Sequence, residues 1–303
     1  FKQKTAYEIS LGLVGSEMCI RDRETREIVT KPYRTRFNDP QYVRYLLAKY
    51  NQAWQIATEN YDVGVFLTIT LPPIFPLKIE QYLLSYILHR LKNWLKRRYG
   101  FTPPSIIANE PQKKNAWFNF HKHGVFFGIS RIMDKRELTL WLNEKVIRFL
   151  ERMGHHIQKT VNNRLKPEEV KAFNKLGNKL LKRYMRYKKK HKKYQGPVNW
   201  ITKVYKDENG KWVFQNPPPD LQGNNKNGTL FDGANASVSD YIKKYIIKNL
   251  NSALEGVKEE KDPTLAWYWL LRIPFYTLSP KLRKQNPKPP PSGLVFIGAY
   301  VLI

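Results

Sequence analysis

The stretch "PSIIANEPQKKNAWFNFHKHGVFFGIS" (Pro104–Ser130) decides the fold, because two strand-like runs flank a short polar turn at "KKN". This arrangement predicts an antiparallel hairpin. On the second run, His121 and His123 are two residues apart and therefore project from one face, while Lys122 projects from the other.

The helices and strands predicted on either side of this hairpin indicate the fold class. A helix is expected from Pro40, and "VGVFLTITLPP" (Val63–Pro73) reads as a buried strand. An apolar stripe then predicts a helix that ends at Gly100, and a further helix is expected from Asp134 to a terminating Gly154. Counted from the first strand, the order is β-α-β-β-α, which predicts an α+β, ferredoxin-like fold with an antiparallel sheet packed with helices.

The second half of the chain predicts a helical basic insertion, a hairpin and one more helix. The hairpin "WITKVYKDENGKWVFQN" turns at Asn209-Gly210. Ser237 and Asp240 form a Ser-x-x-acid cap for the last helix, which we expect to end at Gly256.

The composition indicates a polyanionic partner. Lys and Arg total 53 against 25 Asp and Glu, which gives a formal net charge of +28. Nucleic acid is the first expectation and an anionic membrane surface the second. Cys19 is the only cysteine of the sequence, which excludes a disulfide framework and a thiolate zinc site. A run long enough for a transmembrane helix is absent from the sequence.

A metal site is the first chemical candidate. His121 and His123 present two imidazoles to one point, and Glu110 on the preceding strand is placed to join them, with Gln112 as a competitor whose choice depends on the register. The alternative is that both histidines are polar strand residues bonded to their neighbours.

The second candidate is the helix "YIKKYIIK" (Tyr241–Lys248). Tyr241 and Tyr245 lie one turn apart on one face, and Lys244 and Lys248 repeat that spacing beside them. A phenol is a poor nucleophile at neutral pH unless a cation favours the phenolate, and the lysines supply such cations. The alternative is an amphipathic helix with aromatic edges.

The third candidate is a basic run with interleaved tyrosines, which we expect to track a phosphate backbone while its rings stack on unpaired bases. The alternative is a solvated helix face. The residues assigned to DNA binding are Arg183, Tyr184, Arg186, Tyr187, Lys188, Lys189, Lys190, Lys192 and Lys193.

Taken in chain order, "FLTIT" (Phe66–Thr70), the strand with His121 and His123, and "YIKKYIIK" resemble the three motifs of rolling-circle replication initiators, the HUH endonucleases of plasmids and phages. The helix is similar to that of the two-tyrosine class, which carries Tyr-x-x-Lys-Tyr-x-x-Lys. Two departures are Lys122, where the family has a hydrophobic residue, and Glu110, which lies farther upstream than the family's acidic residue.

The resemblance implies an HUH palm and metal-dependent transesterification on single-stranded origin DNA. His121, His123 and Glu110 would hold Mn or Mg, and Tyr241 and Tyr245 would be the nucleophiles, with Lys244 and Lys248 as phosphate or phenolate partners. The product would be a 5′-phosphotyrosine and a 3′-hydroxyl primer. The implied setting is the cytoplasm of a prokaryotic host, with its helicase and polymerase as partners and no membrane.

The expected organisation has four parts. Residues 1–23 resemble a translated sequencing adapter, 24–60 form an N-terminal helical segment, 61–256 form the endonuclease domain with the basic insertion at 163–197, and 257–303 form a truncated C-terminal segment. Two other functions fit the same sequence: a basic nucleic-acid-binding protein without catalysis, and a transposase or relaxase with the same chemistry.

Overall fold

The computed structural model describes residues 17–21, 28–32, 40–114, 117–218, 237–244, 246, 268 and 273–283. Within these ranges, β1 (Glu17–Arg21) and β2 (Ile28–Pro32) pair with each other as a separate antiparallel hairpin. The remaining strands form a six-stranded sheet. The architecture is α+β, as the sequence predicts.

The six-stranded sheet contains a complete ferredoxin-like unit. The unit runs β3 (Val63–Thr70), α2 (Leu77–Tyr99), β4 (Ser105–Lys114), β5 (Trp117–Phe127), α3 (Lys135–Glu151) and β6 (Val198–Lys206), and α1 (Pro40–Asn60) precedes it. Two short strands, β7 (Trp212–Phe214) and β8 (Tyr276–Leu278), extend the edges. The strand order is β7-β6-β3-β5-β4-β8, and every neighbouring pair is antiparallel. The order β6-β3-β5-β4 is that of the ferredoxin-like unit.

Helices pack against both faces of the sheet. On one face, the Lys122 ammonium reaches Gln81 of α2. On the other face, α1 places Trp54 edge-on against Phe127, with ring centroids 5.5 Å apart. A helix of which residues 238–244 are described packs on that same face. Both faces of the central strands are therefore buried, which explains the near-continuous apolar run of β3.

The basic insertion is a helical pair placed between α3 and β6. It consists of α4 (Met153–Thr160) and the basic helix α5 (Pro167–Lys190). The expectation that Gly154 ends the preceding helix is wrong, because α3 ends at Glu151 and Gly154 lies inside α4. A Cβ at Gly154 would lie 2.1 Å from the Val170 carbonyl oxygen, so this glycine is needed for close helix packing rather than for helix termination.

Several predicted boundaries are confirmed. The first helix begins at Pro40, Asp134 caps α3 through a hydrogen bond from the Glu137 amide, and Gly100 ends α2 in the left-handed conformation. Gly210 turns the β6–β7 hairpin with φ 73°. The predicted end of the last helix, Gly256, lies outside the described residues.

Candidate metal centre

The register of β4 and β5 builds a buried Glu/His/His group. Glu110 lies directly opposite His121, and Ala108 lies opposite His123. Residues that pair across an antiparallel ladder project to the same face, so the carboxylate and both imidazoles meet on one side of the sheet. One ligand atom from each of the three residues lies within 4.8 Å of the others. The same register places Gln112 opposite Asn119, which decides between Glu110 and Gln112.

Hydrogen bonds hold His123 at both ring nitrogens. Its Nε2 lies 3.0 Å from Glu110 Oε2, and its Nδ1 lies 3.1 Å from the hydroxyl of Thr68 on β3. A hydroxyl can donate or accept, so Thr68 is compatible with either tautomer of the ring. Thr68 is a site residue that sequence reasoning missed, because only the pairing of Thr68 with His123 across β3 and β5 places it on the face that carries the histidines.

Burial keeps His121 neutral. Desolvation and the neighbouring His123 lower the pKa of His121 from 6.5 to about 3, although Glu110 acts in the opposite direction. A neutral imidazole keeps a lone pair for a metal ion, whereas a protonated ring has none. His121 therefore offers a ligand atom at any pH near neutrality.

The donor set fits a divalent metal ion. Two imidazole nitrogens and one carboxylate oxygen are ligands that Mn, Fe, Co or Zn accept, and a carboxylate with water also suits Mg. All three side chains are buried, and the ligand atoms are already clustered. The group could therefore bind a metal ion, with Thr68 positioned to orient one of its ligands.

Tyr241 lies on the same face of the sheet as this group. Its ring packs edge-on against His123, Phe66 and Phe214, with centroid distances of 6.4, 5.5 and 5.5 Å respectively. Tyr50 of α1 fixes the helix of Tyr241 by donating its hydroxyl hydrogen to the Ser239 carbonyl at 2.9 Å. Tyr241 thus lies against the ring of His123, on the face that carries the Glu/His/His group.

The remaining residues of the tyrosine motif are described only in part. Lys244 is half-buried on the helix that carries Tyr241. Tyr245 and Lys248 lie outside the described residues. The Ser237–Asp240 cap is present, since the Asp240 amide donates to Ser237 Oγ at 3.1 Å.

Lys122 is buried on the opposite face of β5 from the histidines. Its ammonium donates to Asn109 Oδ1 on β4 and to Gln81 Oε1 on α2. Burial lowers the pKa of Lys122 to about 8, while the Glu80 carboxylate favours the charged form. Burial also raises the pKa of Glu80 to about 8, although its carboxylate accepts a hydrogen bond from the Phe120 amide. A polar cluster therefore occupies the position where the resembled family has an apolar residue.

The structure describes every residue of the basic run, and its burial corrects one expectation. Tyr184 is fully buried in the core and donates its hydroxyl hydrogen to Asn143, so it is not available to stack on a base. Tyr187 and Lys188 are half-buried. The other residues assigned to DNA binding are exposed: Arg183, Arg186, Lys189, Lys190, Lys192 and Lys193.

Comparison with known proteins gives one informative relative. The chain is 44% identical over 124 residues to "Uncharacterized protein 1" of Halorubrum pleomorphic virus 1. The match covers 39% of this chain and 25% of the length of that viral protein. No protein-family model matches the chain, and no solved structure matches it significantly. Among the helices that the structure describes, none combines the length and the apolar composition that a membrane span requires.

Proposed function

We propose that this protein nicks single-stranded origin DNA by metal-dependent tyrosine transesterification and so starts rolling-circle replication. The observation that carries the proposal is the placement of the Glu110–His121–His123 group and Tyr241 on one face of the sheet, with the rings of His123 and Tyr241 6.4 Å apart. This reaction needs metal ligands, a nucleophile and positive charge that binds DNA, and this protein has candidates for all three. A relative in a virus is in keeping with a replicon-encoded protein.

The chain supplies both a metal site and a nucleophile for the reaction. Glu110, His121 and His123 would hold a divalent ion, which when bound would draw electron density from the scissile phosphodiester. The phenol oxygen of Tyr241 would attack phosphorus, and the bond to the 3′ oxygen would break. One phosphate ester replaces another, and the phenol proton ends on the released 3′-hydroxyl, so no outside energy source or oxidant is required.

Two lysines and the second tyrosine complete the proposed machinery. Lys244 lies three residues after Tyr241, one helical turn away, where an ammonium favours the phenolate or contacts the phosphate. Lys248 and Tyr245 repeat that relation one turn later in the sequence. In the proposed cycle, Tyr245 rejoins the ends after one round of synthesis.

The site residues Tyr241 and His121 are buried in this conformation. Tyr241 is 3% exposed and His121 is 7% exposed. A DNA strand therefore reaches the phenol only when the layer over this face of the sheet opens, as in enzymes whose sites close over substrate. The proposal thus predicts that site opening accompanies DNA binding.

Adduct formation tests the function. The protein is incubated with MnCl2 and a tiled set of single-stranded oligonucleotides that covers both strands of its replicon, and covalent adducts are separated on a denaturing gel. We expect an adduct that EDTA abolishes and that the Tyr241→Phe, Tyr245→Phe double variant and the His121→Ala variant do not form. Tyr205→Phe, at a partly exposed tyrosine of β6, is the matched control and retains the adduct.

The competing function is nucleic-acid binding without catalysis, which the net charge of +28 and the exposed cations of α5 favour. It predicts tight, salt-sensitive binding that EDTA does not change. Binding of the oligonucleotides with no adduct in any metal would replace the nuclease proposal with this one.

A further inference from the structure

The basic helix α5 carries a straight stripe of exposed cations. The stripe consists of eight Lys and Arg residues. Because successive residues of an α-helix are rotated by about 100°, these eight side chains fall within a sector of about 120° and extend along about 28 Å of the helix. From Val170 to Lys206 the sequence contains no Asp or Glu. We name these residues the cationic stripe: Lys171, Lys175, Lys179, Lys182, Arg183, Arg186, Lys189 and Lys190.

Close packing fixes the direction in which the cationic stripe points. The buried residues of α5 are Val170, Gly177, Leu180 and Tyr184, which lie on the opposite side of the helix. A Cβ at Gly177 would lie 2.1 Å from the Leu150 carbonyl oxygen, so the backbones of α5 and α3 are nearly in contact. An interface this tight holds the helix in one orientation, and the cationic stripe therefore faces solvent as a rigid ridge.

Within the part of the chain that the structure describes, α5 presents no fully exposed aromatic ring beside the cationic stripe. Tyr184 points into the core. Tyr187 stacks on His191, with centroids 4.2 Å apart, and contacts Tyr194 edge-on at 5.5 Å. Proteins that bind unpaired strands combine a basic track with exposed aromatic rings on which bases stack. A row of cations without exposed rings is better suited to double-stranded nucleic acid, in which the bases are already stacked on each other.

An anionic membrane fits this surface less well than DNA does. Helices that lie on membranes bury an apolar face in the lipid beside their basic face, whereas the apolar face of α5 is buried against α3 and α4. Met185 is the large apolar side chain that this helix exposes among the described residues.

We propose that the cationic stripe binds the phosphate backbone of double-stranded DNA, without reading its sequence. About 28 Å of helix corresponds to roughly eight base pairs along the axis of a duplex. This inference rests on the proposed function and deepens it. The cationic stripe would bind the duplex DNA next to the nicked single strand, at a surface separate from the Glu/His/His group. Duplex binding needs neither the metal nor Tyr241.

Salt-dependent binding tests the proposal. Fluorescence anisotropy measures the affinity of the full chain for a random-sequence duplex of about 20 base pairs between about 50 and 200 mM NaCl. The stripe variant is Lys182→Gln, Arg183→Gln, Arg186→Gln. Its matched control is Lys96→Gln, Arg97→Gln, Arg98→Gln, which removes one Lys and two Arg at exposed positions of α2 and so changes the net charge equally.

We expect the stripe variant to lose more than about tenfold in duplex affinity at about 100 mM salt. Its log–log salt slope should flatten by about 2.7, since each phosphate contact contributes about 0.9. The control should keep the slope of the parent. Equal slopes in the two variants would overturn the proposal, because they would show a diffuse field rather than a site.

Two comparison ligands separate the other partners. A greater loss of affinity for single-stranded oligo(dT) than for duplex would assign the stripe to the single strand and overturn the proposal. So would a greater loss for vesicles of phosphatidylglycerol. The adduct assay with short oligonucleotides is a separate readout: its failure would remove the nuclease function, whereas an unchanged duplex slope in the stripe variant would remove only this inference.

Discussion

Replacing Thr68 by Val is expected to weaken metal binding selectively. The Thr68 hydroxyl lies 3.1 Å from His123 Nδ1, and both side chains are buried. If His123 binds the ion through Nε2, its proton must sit on Nδ1, and Thr68 then accepts the hydrogen bond. Valine has nearly the same shape and no acceptor.

The expected magnitude follows from the two tautomers of His123. In the metal-free variant, the ring can keep its proton on Nε2 and donate to Glu110, whose Oε2 lies 3.0 Å away, so valine removes only the donor to the Nδ1 lone pair, and an unpaired acceptor costs less than an unpaired N–H donor. In the metal-bound variant, the Nδ1 proton loses the Thr68 acceptor in a buried place, which costs about 1–3 kcal/mol. The dissociation constant should therefore rise roughly 5- to 150-fold, since about 1.4 kcal/mol corresponds to a factor of ten.

Isothermal titration calorimetry with MnCl2 measures this effect directly. Thr139→Val is the matched control, because Thr139 is equally buried but donates its hydroxyl hydrogen to the Lys135 carbonyl, away from the metal group. We expect Thr139→Val to bind Mn like the parent. A Thr68→Val variant whose dissociation constant stays within a factor of about two of the parent would refute the role of Thr68 in orienting His123.

Two further predictions concern stability. Because the pKa of Glu80 is raised from 4.5 to about 8, the native state holds a proton that the unfolded state has released, so parent stability falls by up to about 1.4 kcal/mol per pH unit between these values. Urea melts across this window should show a flatter profile for Glu80→Gln, and parallel profiles would contradict the assignment. Gly177→Ala should lower the free energy of unfolding by about 2 kcal/mol or more, since its Cβ would meet the Leu150 carbonyl oxygen at 2.1 Å. Asn178→Ala, at the next and exposed position of α5, is the control, and equal melts for the two variants would disprove the close packing.

The sequence predicted β3 to β7, their order along the chain and the alternation of their side chains, because each depends on local periodicity, but it did not predict β1, β2 or β8. It left open whether Glu110 or Gln112 joins the histidines, since that choice depends on the register across a turn. It misplaced Tyr184, because a basic run with interleaved tyrosines has the same composition whether a ring points to solvent or to the core. The 3.6-residue period of α5 contains the answer, since Tyr184 falls on the side of Leu180 and Val170.

The polar contacts of Lys122 and His123 on β5 both depend on the register between β4 and β5. Lys122 hydrogen-bonds Asn109 on one face of the hairpin, and His123 hydrogen-bonds Glu110 on the other. A slip of one residue would turn every side chain of one strand to the wrong face, and a slip of two would bring Gln112 or Ala108 opposite His121 in place of Glu110. Either slip would also separate the buried ammonium from its Asn109 acceptor, which carries a large penalty. The Lys122–Asn109 contact therefore favours the register that places Glu110 opposite His121. This gives a physical reason for a buried lysine between two histidines on a largely apolar strand.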